Sequence, residues 1–122
     1  SSLDVASTSH RRAFCYIEDA VELIARAAQS DSCVGKTLNI GNQDVELSIG
    51  ELAEVILQVT RKKLTIAAGP ETAGSPSRRC PDMTLTTGLT GYRPHIHLRE
   101  GVEHTYEWYR KNVFEGREVS AK

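Results

Sequence analysis

The chain has 122 residues, enough for one domain with a buried core, and its 39% hydrophobic and 25% charged residues are those of an ordinary globular protein. A net charge of −1 offers no electrostatic footprint for nucleic acid or an anionic membrane, and no apolar run reaches the length of a membrane span. The N-terminus lacks the charged-then-apolar pattern of a signal peptide, and Cys15, Cys33 and Cys80 suit free thiols in a reducing cytoplasm better than a disulfide framework or a zinc site.

Ser1 to His10 is rich in Ser and Thr, and reads as a flexible arm (residues 1–10) or an edge segment. Arg11 and Arg12 then lead a run of β-forming residues, Phe14 to Ile17, with Asp19 as a candidate N-cap for the helix that follows. A strand-to-helix corner led by arginine can hold an anion, because guanidinium forks match phosphate oxygens, although arginines also commonly flank a buried strand in solvent. From Asp19 to about Ser30, the apolar set Ala20, Leu23, Ile24, Ala27 and Ala28 recurs at helical spacing.

Asp31 to Gly35 makes a turn, and Lys36-Thr37-Leu38-Asn39-Ile40 reads as a short strand ended by Gly41-Asn42. Ser48-Ile49-Gly50-Glu51 has capping-box spacing and opens a second helix to about Thr60, its apolar face carrying Ile49, Leu52, Ala53, Ile56 and Val59. A strand over Leu64–Ala67 follows. Gly69 to Asp82 is too broken by proline and glycine for regular structure, and a loop of that length is where function tends to sit. Near its end Arg78 and Arg79 would, on composition alone, be a solvated basic tip.

Thr84 to Thr90 is built of poor helix formers and predicts one weak turn. Gly91-Tyr92-Arg93-Pro94 turns the chain, and His95 to Leu98 is extended. His95, His97 and His104 complete no recognised ligand spacing, so no metal is expected. Leu98, Val102, Thr105, Tyr106 and Tyr109 line a last helix ending near Asn112, with Trp108 packed beneath the domain. Residues 114–122 read as a frayed polar tail.

Arg12-Ala13-Phe14-Cys15-Tyr16-Ile17-Glu18-Asp19-Ala20-Val21 resembles the Arg-x-Phe-x-Tyr-Ile-x-Asp-Ala-Val signature in the C-terminal half of the extended short-chain dehydrogenase/reductases, the NAD-dependent epimerases and dehydratases of nucleotide sugars. Leu38-Asn39-Ile40-Gly41-Asn42, Ser48 to Ala53, Arg79-Cys80-Pro81-Asp82, Gly91-Tyr92-Arg93-Pro94 and Leu98 to Val102 follow in the family's order. The resemblance runs from about Arg12 to Tyr109. It departs at the residues before Arg12, which lack the family's usual glycine turn, and at Thr84–Thr90, usually a charged helix.

The resemblance implies an α/β chain of three main helices and short strands over residues 11–113: the substrate-binding part of a Rossmann-type enzyme without its nucleotide-binding half. It implies that Arg12 and Arg79 clamp the diphosphate of a nucleotide sugar, with Arg11, Arg78 and Tyr16 as secondary candidates. Asp82 is expected to order the backbone or cap a short helix. The Lys36–Ile40 strand is expected to join the edge of the family's parallel sheet.

The chain carries neither a glycine-rich dinucleotide turn nor Tyr-x-x-x-Lys, the pair that performs the family's chemistry. It is therefore expected to bind no NAD, the parent enzyme's cofactor, and to be inactive alone, holding substrate for a missing Rossmann half. The alternative is a free-standing remnant that binds or oligomerises without catalysis. A homo-oligomer is expected in either case, with no nucleic acid or membrane partner.

Overall fold

The computed structural model describes residues 1–115, so all but the first two residues of the tail expected over 114–122 lie outside the described residues. The described residues form two small sheets and four α-helices, with a short 3-10 turn at Asp31–Cys33. The first sheet pairs β1 (Ser2–Val5) in parallel with β4 (Thr65–Ala68). The second has β2 (Arg11–Ala13) at its centre, antiparallel to β3 (Glu46–Ser48) and parallel to β5 (Arg78–Arg79).

Residues expected as a flexible arm are thus largely tied down. Beyond β1, Ser7 takes φ +53°, the left-handed geometry that glycine usually supplies. Ser7 holds it with three bonds: its N–H donates to Pro70 O, and its hydroxyl accepts from Thr72 N and donates to Thr72 Oγ1. This turn stands where the family's glycine is missing, and it delivers the chain into β2 through His10, whose carbonyl accepts from Ile49 N.

α1 (Ile17–Gln29) starts at an extended Tyr16, three residues before the expected cap. Asp19 is no N-cap. It lies inside the first turn and is 1% exposed, because Tyr92 OH, His95 N and Ile96 N converge on its carboxylate. Of the expected apolar face, Leu23 is fully buried and α1 packs on α3. Ile24 instead joins Ile17 and Val21 on an exposed stripe.

Lys36–Ile40 forms no strand. None of its residues from Thr37 onward has a backbone partner among the described residues, and unpaired extended backbone has nothing to define it as a strand. α2 (Ile49–Thr60) has the full capping box: Glu51 N donates to Ser48 Oγ, and Ser48 N donates to the Glu51 carboxylate. It ends at Arg61 in the left-handed region, where Lys62 N reaches back to Leu57 O.

α3 (Thr84–Thr90) is a seven-residue helix rather than one weak turn. Two bonds override the propensity, one local and one tertiary: Asp82 Oδ1 accepts from Thr84 N, and buried Thr86 donates to Asn39 O. Asp82 orders its backbone as expected. α4 (Leu98–Tyr109) packs on α2 and runs into a π-helical turn, Arg110–Phe114. Trp108 is exposed and stacks edge-on against Tyr109, so it does not pack beneath the domain. His95 to His97 is irregular, with His97 preceding α4. No cluster able to hold a metal occurs among the described residues, and no helix there is long and apolar enough to cross a membrane.

Candidate functional site

The loop expected to lack regular structure places two residues in a strand, and those residues are the arginines. β5 lies beside β2 with Arg78 opposite Arg11 and Arg79 opposite Arg12. Side chains alternate along a strand, so this register puts Arg12 and Arg79 on one face and Arg11 and Arg78 on the other.

The two faces differ in charge. Arg78 forms a fork on Glu46, with Nε to Oε1 at 2.7 Å and Nη2 to Oε2 at 2.9 Å. Arg11 completes the cluster: its Nη2 donates to Glu46 O, its Nε lies 3.5 Å from Oε1, and its Nη1 lies 3.7 Å from Glu51. The Arg78 hydrogen bond, and then the charges of Arg78 and Arg11, hold the Glu46 carboxyl below its ordinary value against the opposing effect of burial. Glu46 thereby occupies both guanidinium groups of that face.

Arg12 and Arg79 have no carboxylate within ion-pair distance among the described residues. Half-buried Arg12 is held by neutral oxygens, donating from Nη1 to Arg11 O at 2.7 Å and from Nη2 to Ser75 Oγ at 2.8 Å. Arg79 is exposed. Two cations side by side without a counter-ion repel one another, and a ligand with two or more negative oxygens relieves that repulsion.

The loop beside this face is fastened to the chain before β2. Arg11 N donates to Ser77 O, Ser9 donates to Glu71, and Ser75 N closes a turn on Thr72 O. Buried His10 approaches Glu71 at 3.7 Å through Nε2, while its Nδ1 is unpartnered. Sequence reasoning missed Glu46, Ser75 and His10, since each acts through a neighbour remote in the chain.

Tyr16 is placed elsewhere. Its ring lies against Gly101 and edge-on to His104, with ring centroids 5.5 Å apart. It lines an apolar cavity of about 340 Å³ with Leu52, Ile56, Val102 and Tyr106, to which neither Arg12 nor Arg79 contributes. Burial raises its phenol, with Glu18 adding to the shift. Ser48 is occupied by its capping box. The β2–α1 turn is Phe14-Cys15-Tyr16, without the glycine of a dinucleotide-binding turn.

No family model matches the chain. Among curated proteins it is 32% identical over 99 residues to UDP-glucuronic acid decarboxylase 5 of Arabidopsis thaliana, covering 81% of this chain and 28% of that protein. It is likewise 32% identical over 102 residues to GDP-mannose 3,5-epimerase of the same plant, covering 84% and 26%. It matches the C-terminal region of the NAD-dependent epimerase/dehydratase family. The fold agrees. An epimerase of Methanothermobacter thermautotrophicus superposes with TM-score 0.87 at 22% identity, covering 97% of this chain and 35% of that one. UDP-glucuronic acid 4-epimerase of Bacillus cereus, solved with UDP-glucuronic acid and NAD, gives 0.80 at 22%, covering 91% and 36%. The chain spans about a third or less of the length of these similar proteins.

Proposed function

We propose that this chain is the substrate-holding portion of an NAD-dependent nucleotide-sugar epimerase, dehydratase or decarboxylase, and that Arg12 and Arg79 clamp the substrate diphosphate. The observation that carries the reading is the β2–β5 register, which pairs Arg12 with Arg79 on the face without a carboxylate. Arg11 and Arg78 lie on the opposite face, where both contact the Glu46 carboxylate, and this favours Arg12 and Arg79 for the role.

The task is positioning. Charge-assisted bonds to the diphosphate would fix one end of the substrate and present its sugar to a nucleotide-binding partner domain. NAD, bound in that domain, supplies hydride acceptance and return. The catalytic tyrosine and lysine also belong there, so the chain alone holds substrate without turning it over. The exposed stripe Ile17, Val21 and Ile24 and the extended segment Thr37–Ile40, which makes no backbone–backbone bond among the described residues, are the surfaces suited to that domain.

Isothermal titration with UDP-glucuronate, a ligand seen with a structural relative, tests the clamp. Arg12→Ala and Arg79→Ala are each expected to weaken binding at least about tenfold, and Arg78→Ala to leave it near wild type. Equal losses for Arg78→Ala and Arg79→Ala would remove the basis of the proposal.

The exposed α1 stripe also favours a second reading, a self-associating binding module. Sedimentation equilibrium distinguishes it. Concentration-dependent dimerisation abolished by Val21→Glu supports self-association, whereas a monomer at all concentrations leaves the stripe to the nucleotide-binding domain.

A further inference from the structure

We infer that Ser75 is a third ligand of the anion held at Arg12 and Arg79, donating its hydroxyl proton to a phosphate oxygen. The inference rests on the diphosphate reading above and extends it to the loop between β4 and β5. Ser75 Oγ accepts from Arg12 Nη2 at 2.8 Å, so the hydroxyl lies against the guanidinium proposed to meet the phosphate. A serine hydroxyl has one proton to give and two lone pairs. Here one lone pair is taken by Arg12, and the proton has no acceptor among the described residues. Accepting from a cation polarises the O–H and strengthens it as a donor to an anion.

The surrounding loop is built to keep Ser75 in place. Gly74 takes φ +76° with open space where a side chain would project, and Ser75 N closes the turn on Thr72 O. Thr72 is in turn bonded to buried Ser7, two chain segments fastened over the start of β2. The hydroxyl is thus held at the Arg12 fork before any ligand arrives, which lowers the ordering cost of binding.

The test is calorimetric titration of the full chain with UDP and, separately, with inorganic pyrophosphate. Ser75→Ala is expected to weaken both about tenfold, while Ser75→Thr, which keeps the hydroxyl, stays within about twofold of wild type. Unchanged affinity in Ser75→Ala, with Arg12→Ala and Arg79→Ala still defective, overturns the serine and leaves the clamp standing. Equal loss in the alanine and threonine variants also overturns it, since loop packing rather than the hydroxyl would then matter. If wild type binds neither ligand, or Arg12→Ala and Arg79→Ala bind as wild type does, the clamp itself falls and the serine with it.

Discussion

The phenol of Tyr92 donates a 2.6 Å hydrogen bond to the carboxylate of Asp19, 73 residues away in the chain. The same carboxylate takes the amides of His95 and Ile96, at 3.2 and 2.9 Å, and its other oxygen lies 3.2 Å from His95 Nδ1. Arg26 covers the Tyr92 ring at 5.0 Å. One buried acid therefore joins α1 to the segment that launches α4.

That junction makes stability depend on pH. Burial by itself raises the Asp19 carboxyl, but the bonds from Tyr92, Ile96 and His95 outweigh it and leave it below its ordinary 3.8. Tyr92 is pushed up to about 12, by burial first and then by Asp19. The Asp19 contribution is complete above the unfolded carboxyl's titration and is lost as pH falls through the lowered folded value. The Tyr92 contribution is complete below the unfolded phenol's titration and is lost as pH rises through about 12. Tyr92→Phe should cost about 1–3 kcal/mol near neutrality, and its deficit against wild type should shrink in acid, as Asp19 takes up its proton, and in alkali, as pH rises toward about 12 and wild type loses the Tyr92 contribution. Thermal melts followed by circular dichroism across pH check this, and superimposable curves for the two proteins would refute it.

Glu46 has a different task, balancing Arg11 and Arg78 on one face of the second sheet. Glu46→Gln should lower the melting temperature and release both guanidinium groups to bind anions. Pyrophosphate should then bind at more than one site, with stronger salt dependence than in wild type. A single unchanged site by calorimetry would mean that Glu46 does not separate the arginine pairs.

Two glycines should respond in opposite directions to alanine. A Cβ on Gly41 would lie 2.8 Å from Pro81 Cγ, a ring atom that cannot swing aside, so Gly41→Ala should destabilise the fold by about 1–3 kcal/mol. Gly88 lies within α3 with nothing within 4 Å of the added atom, and Gly88→Ala should stabilise by about 0.5–1 kcal/mol. Urea unfolding of the two variants gives the comparison. A Gly41→Ala protein as stable as wild type would show that Pro81 yields.

The capping box predicts a local loss. Ser48→Ala removes the acceptor for Glu51 N and should cost about 1 kcal/mol, with Ser48→Asp close to wild type. If both variants melt alike, the cap does not limit α2.

The helices were legible in the chain because their signals are local. Ser48 and Glu51 marked the start of α2 through bonds three residues apart, and apolar spacing marked α1 and α4. The family resemblance named Arg12 and Arg79 from short motifs. The sequence could not show that Arg79 pairs with Arg12 while Arg78 pairs with Arg11, because strand register depends on where the Gly69–Ser77 loop is fastened. Local propensity misread Asp19, whose partners lie 73 or more residues away. It misread Thr84–Thr90 for the same reason, since Thr86 answers to Asn39 rather than to its neighbours. Lys36–Ile40 shows the converse. Its β-forming residues make a strand only where another strand offers hydrogen bonds, and the described residues provide none. What the sequence determined by itself was each segment's preference. Tertiary structure decided which charges met, because electrostatic and hydrogen-bond energies depend on distances that only the packed chain sets.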